Sequence, residues 1–273
     1  MHHVTTSDGT RLYVKDWGTG RPVILIHGWP LSADSWDDQA MAIAEAGYRV
    51  IAYDRRGFGR SSQPWNGYDY NTLSDDLAEV MQQTGALDAT LMGFSMGGGE
   101  VARYMSRHGG KSVVKAALVS SVLPYRLKTA DHPGGTDQAV FDKTAQALRD
   151  DRALFFTEFF ESFFGVSAAL HPVSAELLQW ARGIAMQASL RATLECLKSF
   201  STTDFRGDLP AFKVPTLLIH GTKDQTVPID ASARAALPGL AHGALIEYDG
   251  APHGLFATDK ARLTRDLLTF LAH

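Results

Sequence analysis

The sequence has little cysteine, no long apolar run and no block of like charge, and each of these features excludes some classes of protein. It has one cysteine, Cys196, in 273 residues, so no internal disulfide can form, and Cys196 is predicted to be a small buried apolar residue. No apolar run approaches the ~20 residues of a membrane-spanning helix, and the first residues lack the apolar stretch of a signal peptide. The formal net charge of −4 comes without a basic or acidic block. These absences predict a cytoplasmic protein with no nucleic-acid or membrane partner.

Short β-rich runs alternate with helical patterns over most of the chain, as is typical of βαβ units and a mostly parallel sheet. The strand candidates are largely continuous apolar runs, which indicates strands buried on both faces. Leu73, Leu77 and Val80 mark an amphipathic helix between two of them, and Leu263, Leu267 and Leu271 mark another near the C-terminus. The predicted strands are 23–26, 50–53, 89–92, 116–119, 216–219 and 244–248.

The alternation stops between Pro124 and Pro210, where no convincing strand occurs. Helices are predicted there over 137–149, 150–164, 174–186 and 189–200. Because so long an insertion cannot fit within the sheet, it is predicted to form a helical cap above the strand ends. The predicted organisation is therefore an α/β core of residues 1–123 and 211–273, with helices flanking the sheet, and a cap of residues 124–210.

The segment Gly93-Phe94-Ser95-Met96-Gly97 matches G-x-S-x-G, the nucleophile elbow. A predicted strand precedes it and a helix-compatible run follows, which is the context that this motif requires. Side chains at the two glycine positions would collide with the adjoining strand and helix, and the serine would be held in a strained backbone conformation. Ser95 is therefore the predicted nucleophile.

A serine hydroxyl needs a base within hydrogen-bond reach and an acid that orients the base. In this type of fold the chain order is serine, acid, histidine. Asp224 follows the strand 216–219 and fits the acid, and His253 follows the last strand and fits the base. Asp249 is an alternative acid, although it lies close in sequence to His253, whereas the acid usually comes from a separate loop.

An oxyanion hole should combine two backbone N–H groups. One belongs to Met96, the residue after the serine. The other is predicted to come from Trp29, in the loop after the strand 23–26, because Pro30 has no N–H. His27 ends that strand and is predicted to fix the loop instead of acting as the base.

Five segments carry a resemblance to a known family: 27–30 (HGWP), 54–61 (DRRGFGRS), 93–104 (GFSMGGGEVARY), 201–205 (STTDF) and 251–254 (APHG). Together they resemble the cofactor-free bacterial haloperoxidase, aryl esterase and perhydrolase family of the α/β hydrolases, and the resemblance covers nearly the whole chain. It implies the α/β-hydrolase fold. One departure is Thr222, where the family usually carries an acidic residue.

The resemblance implies an enzyme that cleaves small carboxylic esters, aryl or short-chain acyl, through an acyl-serine intermediate. Water or hydrogen peroxide would accept the acyl group, and the peracid made with peroxide would oxidise halide without metal or haem. The resemblance implies no cofactor, and it implies a homo-oligomer. By resemblance, the wall of a small apolar pocket is formed by Trp29, Phe94, Val122, Phe141, Phe159, Phe163 and Val227.

Proteins of the same fold also carry out other functions. Haloalkane dehalogenases and epoxide hydrolases use an aspartate at the elbow, so Ser95 argues against both. A lactonase, a carbon–carbon hydrolase, a cofactor-free oxygenase and a non-catalytic ligand receptor stay open. No cluster of His, Cys and Asp with metal-ligand spacing occurs, and the His2-His3 pair is a poor site, so metal independence is predicted.

Overall fold

The computed structural model describes residues 3–273. Met1 and His2 lie outside the described residues. The predicted core segment begins with them, and His2 belongs to the His2-His3 pair. The strands are β1 (His3–Thr5), β2 (Arg11–Gly18), β3 (Pro22–Ile26), β4 (Arg49–Tyr53), β5 (Ala89–Phe94), β6 (Val113–Val119), β7 (Thr216–Gly221) and β8 (Gly243–Tyr248). The α-helices are α1 (Asp37–Glu45), α2 (Tyr70–Thr84), α3 (Met96–Arg107), α4 (Gln138–Phe163), α5 (Ala175–Gln187), α6 (Leu190–Thr202), α7 (Ala233–Ala236), α8 (Leu255–Thr258) and α9 (Lys260–Ala272).

The strands form one mixed sheet in the order β1-β2-β4-β3-β5-β6-β7-β8. From β4 to β8 every neighbouring pair is parallel, so the carboxyl ends of these strands lie along one edge. Helices flank the sheet: α1 packs on α9, and α2 packs on α3. The predicted α/β architecture with a mostly parallel sheet is confirmed, and the six predicted strands all occur.

Two strands at one end of the sheet, β1 and β2, were not predicted. They pair antiparallel with each other, and β2 pairs antiparallel with β4. The prediction relied on continuous apolar runs, whereas the buried positions of β2 are interrupted by partly exposed ones and charged residues lie in its middle. One of these, Lys15, is almost fully buried and forms ion pairs with Asp34 and Asp37. Because a charged residue is rarely buried, Lys15 gives no sign in the sequence that this segment is a strand of the core sheet.

The segment between β6 and β7 holds α4, α5 and α6. Helix α4 spans two of the predicted helices, but its backbone breaks at Asp151 (φ −151°, ψ 88°). The Asp151 side chain accepts the Leu154 N–H at 2.9 Å, so it caps the second half as an N-cap residue does. Ser174 and Ser189 cap α5 and α6 in the same way. The helix breaks thus follow from polar residues that bond the first N–H groups of the next helix.

These helices contact the core at the carboxyl edge of the sheet. The Trp29 indole N–H donates to the carbonyl of Thr193 in α6 at 3.0 Å. The Trp29 ring also meets Phe155 and Phe159 of α4 edge to face. The division of the chain into a core and a separate cap of residues 124–210 stays a prediction. Within the described residues, 3–273, no helix combines the length and the apolar character needed to cross a bilayer.

Helix α3 lies directly against the end of β3. A Cβ built on Gly97 would come within 2.5 Å of the Ile26 carbonyl oxygen and 3.0 Å of the His27 carbonyl oxygen. Real Cβ atoms do not approach backbone oxygens this closely, so only glycine permits the contact. Gly183, in the middle of α5, offers a comparison because a Cβ there would meet nothing within 4 Å.

We expect Gly97→Ala to lower the free energy of unfolding by about 1–3 kcal/mol, since α3 and β3 must separate to admit a methyl group. The matched variant Gly183→Ala should raise it by about 0.5–1 kcal/mol, because alanine is the better helix former in open space. Denaturant unfolding of both variants measures this difference. Wild-type stability in Gly97→Ala would contradict the close α3–β3 contact.

Candidate active site

The loops that follow four parallel strands converge at the carboxyl edge of the sheet. In β3 and β5, Ile26 is in register with Gly93, and in β7 and β8, Gly221 is in register with Tyr248. Parallel pairing therefore brings together the loops after β3, β5, β7 and β8, which carry Trp29, Ser95, Asp224 and His253. Open α/β sheets bind ligands at this edge.

Ser95 stands at a sharp turn between β5 and α3. Its backbone has φ 52° and ψ −117°, in the left-handed region that non-glycine residues rarely adopt. The conformation is held from both sides: the Ser95 N–H donates to the Val119 carbonyl at 2.8 Å, and its carbonyl accepts the Val122 N–H at 3.3 Å. A Cβ on Gly93 would lie 2.6 Å from the Gly97 carbonyl carbon. The turn thus has the strain and the close packing that the G-x-S-x-G motif predicts.

Ser95, His253 and Asp224 form one chain of hydrogen bonds. His253 Nε2 lies 3.0 Å from Ser95 Oγ, and His253 Nδ1 lies 2.6 Å from Asp224 Oδ2. All three residues are buried. Because a carboxylate can only accept, Nδ1 carries the hydrogen and Nε2 is free to accept the Ser95 hydroxyl proton. This arrangement can remove a proton from the serine as it attacks an electrophile.

Asp224 is surrounded by donors. Its Oδ1 accepts the Val227 N–H at 2.7 Å, and His220 Nε2 lies 3.2 Å from Oδ2. Burial by itself raises the pKa of Asp224, but the positive charge of protonated His253 and the hydrogen bonds from His220 and His253 outweigh it and hold the pKa well below its usual value. Asp224 therefore stays ionised beside the imidazole. The sequence did not single out His220; its position at the end of β7, four residues before Asp224, is the signal that could have found it.

The alternative acid, Asp249, bonds elsewhere. It is exposed, and its Oδ1 accepts the Thr222 hydroxyl at 3.2 Å. Thr222 in turn accepts the Gly250 N–H at 2.8 Å. Thr222, the one departure from the family pattern, thus connects the β7 and β8 loops through two hydrogen bonds. The geometry favours Asp224 as the partner of His253.

Two backbone N–H groups near Ser95 are free to bind an anion. Met96 is the first residue of α3, where a helix leaves its N–H groups without internal partners and concentrates partial positive charge. The backbone N–H of Trp29, unlike its indole N–H, donates to no protein acceptor in residues 3–273. Both residues follow strands that are adjacent in the sheet.

A buried network holds the loop that carries Trp29. His27 Nε2 accepts the Arg55 N–H at 2.9 Å, and the Arg55 guanidinium donates to the His27 carbonyl at 2.6 Å. Arg55 also pairs with Glu100, which accepts the Tyr53 hydroxyl at 2.7 Å. Burial, followed by the charge of Arg55, lowers the pKa of His27 well below its ordinary value, so this histidine stays neutral. Its bonds fix the loop.

A cavity of about 270 Å³ opens above Ser95. Of the seven residues predicted for the pocket, Trp29, Val122, Phe141, Phe159 and Val227 line it.

The other two predicted pocket residues, Phe94 and Phe163, lie outside the lining. They pack on the imidazole of His253 with ring centroids 5.2 and 4.8 Å away, so they enclose the base instead of the cavity. The lining residues that the sequence did not single out are Arg126, Thr136, Val140, Thr144, Phe155, Ser162, Leu197, Phe200, Gln225, Thr226 and Pro228.

Comparison with known proteins identifies the family of the chain. A family model described as alpha/beta hydrolase fold matches residues 21–260. The chain belongs to the alpha/beta hydrolase fold family.

Within that family its relatives include non-heme haloperoxidases and an esterase/perhydrolase, as the motifs predict. The chain is 44% identical to a non-heme chloroperoxidase of Streptomyces lividans and 40% identical to a bifunctional esterase/perhydrolase of Acinetobacter calcoaceticus, with 99% of both chains covered in each case. The crystal structure of a bromoperoxidase from Bacillus anthracis matches with a TM-score of 0.96 and 44% identity over 99% of each chain.

The hydrogen-bonded chain predicts which serine is reactive. A fluorophosphonate should label Ser95, because His253 removes its proton as the oxygen attacks phosphorus. Asp224→Asn should slow labelling by about 10⁴, since the imidazole loses its oriented tautomer. The matched variant Asp249→Asn should label at close to the wild-type rate. Peptide mapping and labelling kinetics by mass spectrometry measure both effects, and slow labelling of Asp249→Asn alone would assign the acid to Asp249.

Proposed function

We propose that the protein is a serine carboxylesterase that acts on aryl or short-chain acyl esters, with perhydrolysis as a second outcome of the same acyl-serine intermediate. The observation that carries the proposal is the His253 imidazole, hydrogen-bonded to Ser95 Oγ at 3.0 Å and to Asp224 at 2.6 Å. The similarity to a bifunctional esterase/perhydrolase supports the choice of reaction.

Acylation would begin as His253 Nε2 takes the hydroxyl proton of Ser95 and Oγ attacks the ester carbonyl carbon. The carbonyl oxygen becomes an oxyanion, which accepts hydrogen bonds from the N–H groups of Met96 and Trp29. Each such donor contributes on the order of 3 kcal/mol to transition-state stabilisation. When the bond to the leaving oxygen breaks, His253 returns the proton to the departing alcohol, and the acyl group stays on Ser95.

Deacylation would reverse these roles. Water attacks the acyl carbon while His253 accepts its proton, and the bond to Ser95 Oγ breaks as that oxygen takes the proton back. The product is a carboxylic acid. When hydrogen peroxide attacks in place of water, the same proton transfers give a peracid. The peracid then transfers one oxygen to a halide ion in solution, which yields a carboxylate and hypohalous acid, and the latter releases its proton to give hypohalite.

The cavity supports a small substrate. Its wall includes the aromatic rings of Trp29, Phe141, Phe155, Phe159 and Phe200. Such a surface binds apolar acyl or aryl groups, while the reacting carbonyl lies against Ser95. Among residues 3–273 no three His, Cys, Asp or Glu side chains are grouped as metal ligands would be. The proposed steps use only Ser95, His253, Asp224 and backbone N–H groups.

The wild-type protein should hydrolyse p-nitrophenyl acetate and form peracetate when hydrogen peroxide is added, and EDTA should change neither rate. Ser95→Ala should lose both activities by about 10⁴ or more, because both outcomes share the acyl-serine. Release of p-nitrophenol and a halide-dependent peracid assay measure them. Peracid formation that survives in Ser95→Ala would contradict a shared intermediate. Absence of turnover on a series of activated esters would favour a carbon–carbon hydrolase or a receptor.

A further inference from the structure

Arg126 is a charged residue in the wall of an otherwise neutral cavity. Its side chain lines the same cavity as Ser95, and it is the one charged residue among the described lining residues. Only 6% of its surface is exposed. The loop after β6 that carries Arg126 also carries Val122, whose N–H bonds the Ser95 carbonyl. The guanidinium is therefore built into the site that holds the candidate nucleophile.

The protein leaves this guanidinium largely unsatisfied. Nη2 donates to the Thr226 carbonyl at 2.7 Å, and Nε is enclosed without any acceptor in the described part of the chain. Nη1 makes no hydrogen bond to residues 3–273 either, and no carboxylate there lies within the 4.0 Å of an ion pair. Buried arginines elsewhere in this molecule are paired, as Arg55 is with Glu100 and Arg56 with Asp76.

A buried charge without a partner raises the free energy of the folded protein, because it has lost its hydration. A bound anion would offset this cost. Burial lowers the pKa of Arg126 to about 10, and the negative charge of Asp224 opposes that effect. At neutral pH the guanidinium is still charged. Asp224 is not its direct partner among residues 3–273, because the Asp224 oxygens bond His253 and the Val227 N–H and form no ion pair with Arg126.

We propose that Arg126 is a specificity-determining residue that binds a carboxylate carried by the ester substrate. A carboxylate matches the planar donor fork of arginine, and the apolar wall accepts the carbon chain between that group and the ester. The acid group stands on either the acyl or the alcohol side of the ester, and the shared chemistry is a monoanionic ester. This inference rests on the proposed esterase function.

A purely structural role makes a different prediction. Through Thr226, Arg126 ties the β6 loop to the turn that holds Asp224. If that tie were its whole role, replacing Arg126 would weaken turnover of neutral and anionic esters equally. A carboxylate-binding role instead changes the ratio between the two and acts mainly through KM.

The test compares chain-matched substrates. On the acyl side, monomethyl esters of malonic to adipic acid are compared with methyl esters of simple alkanoic acids of equal chain length, which carry no free carboxylate. On the alcohol side, O-acetyl hydroxy acids are compared with neutral alkyl acetates. In at least one series the wild type should prefer the anionic ester by about ten- to a hundred-fold in kcat/KM, the effect of a hydrogen bond to a charged group.

Arg126→Gln should remove that preference through a higher KM for the anionic ester, and Arg126→Lys should restore part of it because the charge is kept. Arg152→Gln is the matched control. Arg152 also donates to a backbone carbonyl, that of Ala188 at 2.8 Å, but it does not line the cavity. Its replacement should keep the wild-type ratio.

Several outcomes would overturn the inference: no anionic preference in the wild type, an unchanged ratio in Arg126→Gln, or equal losses on both ester types. If p-nitrophenyl acetate is cleaved without any anionic preference, the inference fails while the esterase proposal stands. If no ester is cleaved, calorimetric binding of glutarate to wild type and Arg126→Gln decides the matter. Binding that depends on Arg126 supports the carboxylate site, and its absence refutes it.

Discussion

The hydrogen bond between His253 Nδ1 and Asp224 Oδ2, 2.6 Å long and shielded from water, is the contact on which the site depends. It fixes which imidazole nitrogen carries the hydrogen, and so it leaves Nε2 to face Ser95. Nothing in the loop of His253 alone could do this. The bond joins the loops after β7 and β8, and it forms because those two strands are neighbours and parallel.

Further buried groups hold the other half of the site. The Arg55–Glu100 pair and neutral His27 fix the loop after β3, which carries Trp29. Gly97 lets that turn approach the end of β3. Helices α4 and α6 then cover the edge with aromatic rings, and Phe94 and Phe163 shield the imidazole. In the proposed mechanism this enclosure strengthens each hydrogen bond to developing charge.

Much of this arrangement could be predicted because local patterns encode it. The glycines around Ser95 indicate a tight turn, and the aspartate and the histidine that follow successive predicted strands indicate loops at one edge of the sheet. The antiparallel strand β2 escaped prediction because its buried Lys15 is neutralised by Asp34 and Asp37, partners distant in sequence. Arg126 and His220 escaped for a related reason. Their importance lies in burial and in which acceptors they reach, and neither property is visible until the loops after β6 and β7 are folded together.

If one acyl-serine precedes both products, its partition between water and peroxide is independent of the alcohol that has left. Acetate esters of phenol, p-nitrophenol and methanol should be turned over at one fixed peroxide concentration, with peracetate and acetate measured together. A shared acetyl-Ser95 has lost its alcohol before it partitions. We therefore expect the same ratio of peracetate to acetate from all three esters, and a ratio that changes with the alcohol would show that the two products do not share one acetyl-serine.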